Sequence, residues 1–115
     1  MSPAKYIKRI TLFKVPKEED VDAAIQKYKT LRETAVKDGE PYILHNEAGK
    51  TINTSEERSK GFTLCGQTTF ASQADVDYYD SQCGAHAEFK KFITPRRTDV
   101  MVVHVPTEVL PSSAE

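Results

Sequence analysis

The stretch YIKRITLFKVPKEEDVDAAIQKYKTLRETAVK, residues 6 to 37, changes its hydrophobic period at Pro16. The part before Pro16 is rich in β-branched and aromatic residues, which predicts a first strand from Tyr6 to Val15. After Pro16, apolar residues recur at spacings of three and four up to Lys37, which predicts one amphipathic helix closed by Asp38 and Gly39. A strand followed by a helix is therefore the first unit of the fold.

The predicted first strand has apolar members on both of its faces. Because side chains alternate along a strand, each face must be covered by something. One face carries Ile7, Arg9, Thr11 and Phe13, and the other carries Tyr6, Lys8, Ile10, Leu12 and Lys14.

Three more strands and a second helical region follow. The strands are predicted at residues 41–45, 61–70 and 99–105, the last two from clear alternation. Residues 46–60 have no apolar period, so we expect either a mobile surface loop or a lid there, with the fastest internal amide exchange. The helical region opens at Ser72, which with Asp75 resembles a helix cap, breaks at Gly84 and ends before Pro95.

The order of elements predicts an α+β fold of the ferredoxin-like kind, βαββαβ, with an antiparallel four-stranded sheet and both helices on one face. Its other face, with Ile7, Phe13 and Cys65 or their alternates, would be bare, so a partner must cover it. We expect a single domain over residues 1–105 and a polar tail over 106–115.

Composition excludes several partners. Of 115 residues, 16 are Lys or Arg and 17 are Asp or Glu, so no strong field favours nucleic acid or an anionic membrane. No apolar run approaches the roughly 20 residues of a membrane span. Two cysteines indicate a reducing, cytoplasmic compartment, and Cys83 with His86 lacks the second ligand pair of a zinc site. We expect no metal and no cofactor.

A family resemblance rests on five motifs, KRITLFKV from Lys8, GEPYIL from Gly39, GFTL from Gly61, TFAS from Thr69 and YYDSQCGAH from Tyr78. Together they resemble the stress-responsive dimeric α+β barrel family, Dabb, in its fungal form. The resemblance implies a ferredoxin-like protomer whose open sheet face meets a second copy to close a barrel.

The resemblance also implies candidate catalytic residues. In a polyketide-cyclising branch, a histidine acts as base and a tyrosine assists; here His86 and Tyr79 match, with Tyr78 as the competing alignment. An imidazole near its ordinary pKa suits removal of a proton between two carbonyls. That branch has a second histidine on its first strand where this chain has Arg9, which stays protonated and cannot be a base.

Three functions remain open at this point. The first is a homodimer with a small apolar pocket that binds a hydrophobic or aromatic metabolite without cofactor. The second is a cofactor-free, polyketide cyclase-like enzyme with His86 as base and Tyr79 as acid. The third is a structural, stress-related dimer in which His86 only buttresses the loop after Gly84. The pocket residues are expected to be Arg9, Thr11, Phe13, Tyr28, Tyr78 and Phe89.

Overall fold

The computed structural model describes residues 6–108. A short 3-10 turn, Glu57–Ser59, lies in the connection between the fourth and fifth strands. The elements in chain order are β1 (Tyr6–Lys14), α1 (Glu18–Thr34), β2 (Val36–Lys37), β3 (Glu40–Pro41), β4 (Ile43–Lys50), β5 (Leu64–Phe70), α2 (Gln73–Ser81), α3 (Gly84–Ile93) and β6 (Asp99–Thr107).

Four of the strands form one antiparallel sheet in the order β4-β5-β1-β6. The central strand β1 pairs with both β5 and β6, so that Arg9 lies opposite Thr68 on one side and His104 on the other. The predicted ferredoxin-like α+β fold is confirmed. The last strand continues to Thr107, two residues into the stretch expected to be tail, and residues 109–115 lie outside the described part.

The long helix ends earlier than the sequence indicates. Helix α1 stops at Thr34, and β2 and β3 form a separate two-stranded hairpin around Asp38 and Gly39. Both turn residues have positive φ, 54° and 82°, which is the geometry of a tight two-residue hairpin turn. Asp38 and Gly39 thus turn a hairpin, and the prediction that they end the helix is wrong.

The second sheet strand is longer than predicted. Residues 46–50, expected to begin a mobile loop, belong to β4. Two hydrogen bonds fix Asn46 there: its Nδ2 donates to the Tyr28 carbonyl at 2.7 Å, and Thr68 Oγ1 donates to its Oδ1 at 2.8 Å. A polar stretch without a clear period is therefore held as strand by pairing with β5 and by contact with α1, so the loop prediction is wrong for these five residues.

The core lies between the sheet and the helices. Leu64, Phe70 and Val76 are fully buried there, together with the rings of Tyr28 and Tyr79. Gly66 on β5 gives the Tyr28 ring its space, because a Cβ at that position would stand 2.4 Å from the phenolic oxygen. The close approach of α1 to the sheet therefore requires glycine at this position.

The opposite face of the sheet is uncovered in the protomer. Ile7 and Phe13 pack toward the helices, so it is their alternates on β1 that face outward. Three β6 side chains, Met101, Val103 and Val105, share this open face and are 43%, 44% and 42% exposed. The open sheet face, defined by Ile10, Leu12, Cys65, Met101, Val103 and Val105, is apolar along β1 and β6.

Other features bear on partners and compartment. Among residues 6–108, no helix is long and apolar enough to span a membrane. The same residues contain no group of three or more His, Cys, Asp or Glu side chains placed to hold a metal ion. Cys65 and Cys83 are both free thiols.

Candidate functional site

The junction of α2 and α3 places His86. Ser72 caps α2 by accepting a hydrogen bond from the Asp75 amide at 3.2 Å, and the chain turns at Gln82 and Cys83 before α3 begins at Gly84. The turn brings the buried His86 ring back onto Tyr79. The two rings are stacked, with centroids 3.8 Å apart and planes 12° from parallel.

One hydrogen bond fixes the tautomer of His86. Its Nδ1 lies 2.8 Å from the backbone carbonyl oxygen of Tyr79. Because a carbonyl only accepts, Nδ1 carries the proton and Nε2 has a free lone pair. Burial lowers the pKa of His86 from 6.5 to about 4, with the positive charges of Arg9 and Lys90 acting in the same direction. The imidazole is therefore neutral at pH 7.

The lowered pKa of His86 makes the folded state sensitive to acid. In the unfolded chain the imidazole binds a proton below about pH 6.5, whereas in the folded protein it does so only below about 4. Between these values only the unfolded state is protonated at this site, so the free energy of unfolding falls as pH drops, by about 3 kcal/mol in total.

We expect His86→Gln to remove this part of the pH dependence. Denaturant unfolding of both proteins at pH 7.5 and pH 4 measures it, and the carboxylates common to both cancel in the comparison. Equal losses of stability in the two proteins would contradict a neutral, buried His86.

Tyr79 lies behind His86. Its hydroxyl is buried and has no hydrogen-bond partner within residues 6–108. Burial raises the pKa of Tyr79 well above its ordinary value of 10, although the Arg9 guanidinium, 5.2 Å from the ring centroid, acts in the opposite direction. The phenol therefore keeps its proton at neutral pH and has a hydrogen bond to donate.

Arg9 anchors the sheet side of the site. Its Nη1 donates to Thr11 Oγ1 at 2.8 Å, and its Nε stands 2.8 Å from Asp80 Oδ1, an ion pair without aligned hydrogen-bond geometry. His104 Nε2 lies 3.6 Å from the other oxygen of Asp80. Asp80 and His104 are not among the predicted site residues. The β1–β6 register places His104 beside Arg9, and helix α2 brings Asp80 to the same guanidinium.

A cavity of about 140 Å³ opens beside these groups, between α3 and strands β1 and β6. Five predicted site residues line it: Arg9, Thr11, Phe13, His86 and Phe89. The remaining lining residues are not among the predicted site residues, although two of them follow His86 on α3 at helical spacing and a third comes directly after that helix. They are Lys90, Ile93, Thr94, Arg97, Val100 and Val102.

Three predicted tyrosines do not line this cavity. Tyr79 is buried, with its ring stacked on that of the lining residue His86. Tyr28 is buried in the core with its ring 4.9 Å from that of Phe89, and burial raises its pKa to about 12. Tyr78 points elsewhere, with its ring 5.5 Å from that of Tyr42.

This fold and cavity define a class of protein: small α+β domains with an open sheet face and a partly polar cavity under the helices. The chain belongs to the stress responsive A/B barrel domain family, whose model matches residues 7–106.

Three comparisons illustrate the likeness. A Fusaristatin A biosynthesis cluster protein of Gibberella zeae is 34% identical over 102 residues, which cover 89% of this chain and 72% of that protein. The hydroxynitrile lyase of Passiflora edulis is 23% identical with a TM-score of 0.73, covering 95% of this chain and 100% of the lyase. A dimeric ferredoxin-like protein of unknown function from Thermobifida fusca is 15% identical with a TM-score of 0.71, covering 90% and 92%.

Proposed function

We propose that this chain is a homodimer in which each subunit binds a small hydrophobic or aromatic metabolite, without cofactor, in the cavity beside His86. The observation that carries the proposal is the cavity itself. Its volume of about 140 Å³ is close to that of an engineered apolar cavity that binds benzene, about 150 Å³. The name of the Gibberella zeae relative, which refers to a biosynthesis cluster, supports a small molecule as ligand.

The cavity offers apolar contact to a ligand and polar groups that can orient it. Phe13, Phe89 and Ile93 are buried residues of its wall, and they supply the apolar contact that dominates ligand sites. Two polar groups are held in place by hydrogen bonds: His86, which keeps a free lone pair on Nε2, and the guanidinium of Arg9. Ligand sites orient a ligand through a small number of such fixed polar groups. An apolar ring with a polar substituent matches this lining.

The dimer is supported by the open sheet face. A row of three exposed apolar side chains on β6, beside Ile10 and Leu12 on β1, is unusual for a surface that faces water. A second copy would cover that face by twofold symmetry. The Thermobifida fusca relative is described as dimeric.

Filling the cavity tests the binding proposal. Val100 is a half-buried lining residue, so Val100→Phe is expected to place its ring in the cavity and to raise the Kd of a monocyclic aromatic amide such as benzamide at least about tenfold. Chemical-shift titration of the wild type and the variant measures the effect. Val36→Phe, at a valine on β2 outside the cavity, is the control and should bind as the wild type does. Equal affinity in all three proteins would refute the cavity as the binding site.

A second candidate function, a cofactor-free cyclase-like enzyme, is favoured by one observation. His86 is neutral, and its tautomer leaves Nε2 free to accept a proton from a substrate in the cavity. Tyr79 as acid has less support, because Tyr79 is not among the residues that line the cavity and its hydroxyl is buried. A structural dimer without ligand remains as the third alternative, and it predicts no saturable binding at all.

We propose the cytoplasm as the compartment, in keeping with the two free cysteines.

A further inference from the structure

The rim of the cavity carries an excess of positive charge. Lys90 and Thr94 are exposed and Arg97 is half-exposed, so these α3 and post-α3 residues form the side of the cavity that meets solvent. Arg9 lies deeper and is compensated by Asp80. Among residues 6–108, no Asp or Glu lines the cavity. The chain as a whole has a formal net charge of −1, so the cationic rim does not follow from composition.

Neither rim cation has a carboxylate partner in the part of the chain that the structure describes. Lys90 Nζ donates to the backbone carbonyl of Asp80 at 3.0 Å, and within residues 6–108 neither Lys90 nor Arg97 is within ion-pair distance of a carboxylate. Their chain neighbours differ. Lys91 pairs with Glu88 at 3.1 Å, while Arg96 lies 3.6 Å from Asp20.

The neighbours also meet the electrostatic needs of the helix end. The C-terminus of a helix favours positive charge, and Arg96 Nη1 donates to the Phe92 carbonyl in the last turn of α3 at 2.7 Å. Lys91 occupies the same last turn. Lys90 stands in that last turn too, but Lys90 and Arg97 line the cavity and, among residues 6–108, have no carboxylate within ion-pair distance.

We propose that the ligand of this cavity is a small monocyclic carboxylic acid, whose ring occupies the apolar interior and whose carboxylate lies between Lys90 and Arg97 at the rim. This inference rests on the proposed function and adds the chemical class of the ligand. The interior, lined by Phe13, Phe89 and Ile93, has room for about one ring. Charged hydrogen bonds to a carboxylate from a guanidinium and an ammonium are stronger than neutral ones.

Benzoate and benzamide, which share shape and differ in charge, provide the test. With the full chain at pH 7 and low ionic strength, chemical-shift titration should give a Kd for benzoate at least about tenfold lower than for benzamide. Lys90→Gln/Arg97→Gln should reduce this preference to within about twofold by raising the Kd of benzoate alone. The control, Lys91→Gln/Arg96→Gln, removes the same two positive charges at positions outside the cavity. It should keep the preference for benzoate over benzamide.

The outcomes separate this inference from the proposed function. If benzoate and benzamide bind equally, or if both double variants lower the preference alike, the carboxylate inference is wrong while the cavity still binds a ring. If benzamide binds more tightly than benzoate, the inference is also wrong. If neither compound binds at millimolar concentration, the proposed binding function and the inference both fail.

Discussion

Val103→Glu is expected to convert the proposed dimer into a monomer that keeps its fold. Val103 stands opposite Ile10 in the β1–β6 ladder and is 44% exposed on the open sheet face. In the protomer a glutamate there is hydrated, so folding should be little affected. In the dimer the twofold axis would bring two such carboxylates into an apolar interface, where a buried charge without a partner costs about 3–5 kcal/mol. The dimer Kd should rise at least about a thousandfold.

Light scattering at micromolar concentration measures this change. The wild type should give about twice the mass of one 12.9 kDa chain and Val103→Glu should give the single mass. Val36→Glu is the matched control, since Val36 has similar exposure, 40%, but lies on the hairpin strand β2 outside the main sheet. A dimeric Val103→Glu protein, or a monomeric wild type, would contradict a dimer formed through the open sheet face.

His86→Ala separates the three candidate functions by the quantity that it changes. If His86 is a general base, turnover of a linear poly-β-ketone should fall by about two to four orders of magnitude while the dimer persists. If the cavity only binds, there is no turnover to lose and the Kd of a cavity ligand rises. If His86 is structural, turnover and ligand Kd do not change and only Tm falls. The Tyr79 carbonyl then loses its hydrogen-bond donor, and the Tyr79 ring loses the imidazole stacked on it.

Two further variants sharpen this experiment. Tyr79→Phe removes a buried hydroxyl that has no hydrogen-bond partner within residues 6–108, so the substitution should cost no stability. It should lower turnover only if the phenol is the acid. His45→Ala removes a histidine outside the cavity, whose partner is Glu47 at 3.0 Å, and should leave turnover and binding unchanged. Turnover unaffected by His86→Ala would end the cyclase-like proposal.

The sequence predicted most of the fold because its strongest patterns are local. Alternation in β5 and the helical period of α1 require only that a face be buried, and both elements form near their expected positions. The errors in the predicted fold are at the ends of the helices and strands. Residues 46–50 carry no period because one side of β4 is held by Asn46 through hydrogen bonds to Tyr28 and Thr68 instead of by apolar burial.

The candidate site divides in the same way. By itself the sequence determined that His86 and Phe89 lie on one side of a short helix and that Arg9, Thr11 and Phe13 share one face of a strand, because side-chain direction follows from backbone period. Only the tertiary structure decided that β6 lies beside β1, which brings His104, Val100 and Val102 to that helix and strand, and that α2 places Asp80 against Arg9. Strand order, the lowered pKa of His86 and the exclusion of Tyr28 and Tyr78 from the cavity all depend on contacts between residues distant in the chain, and no local period records them.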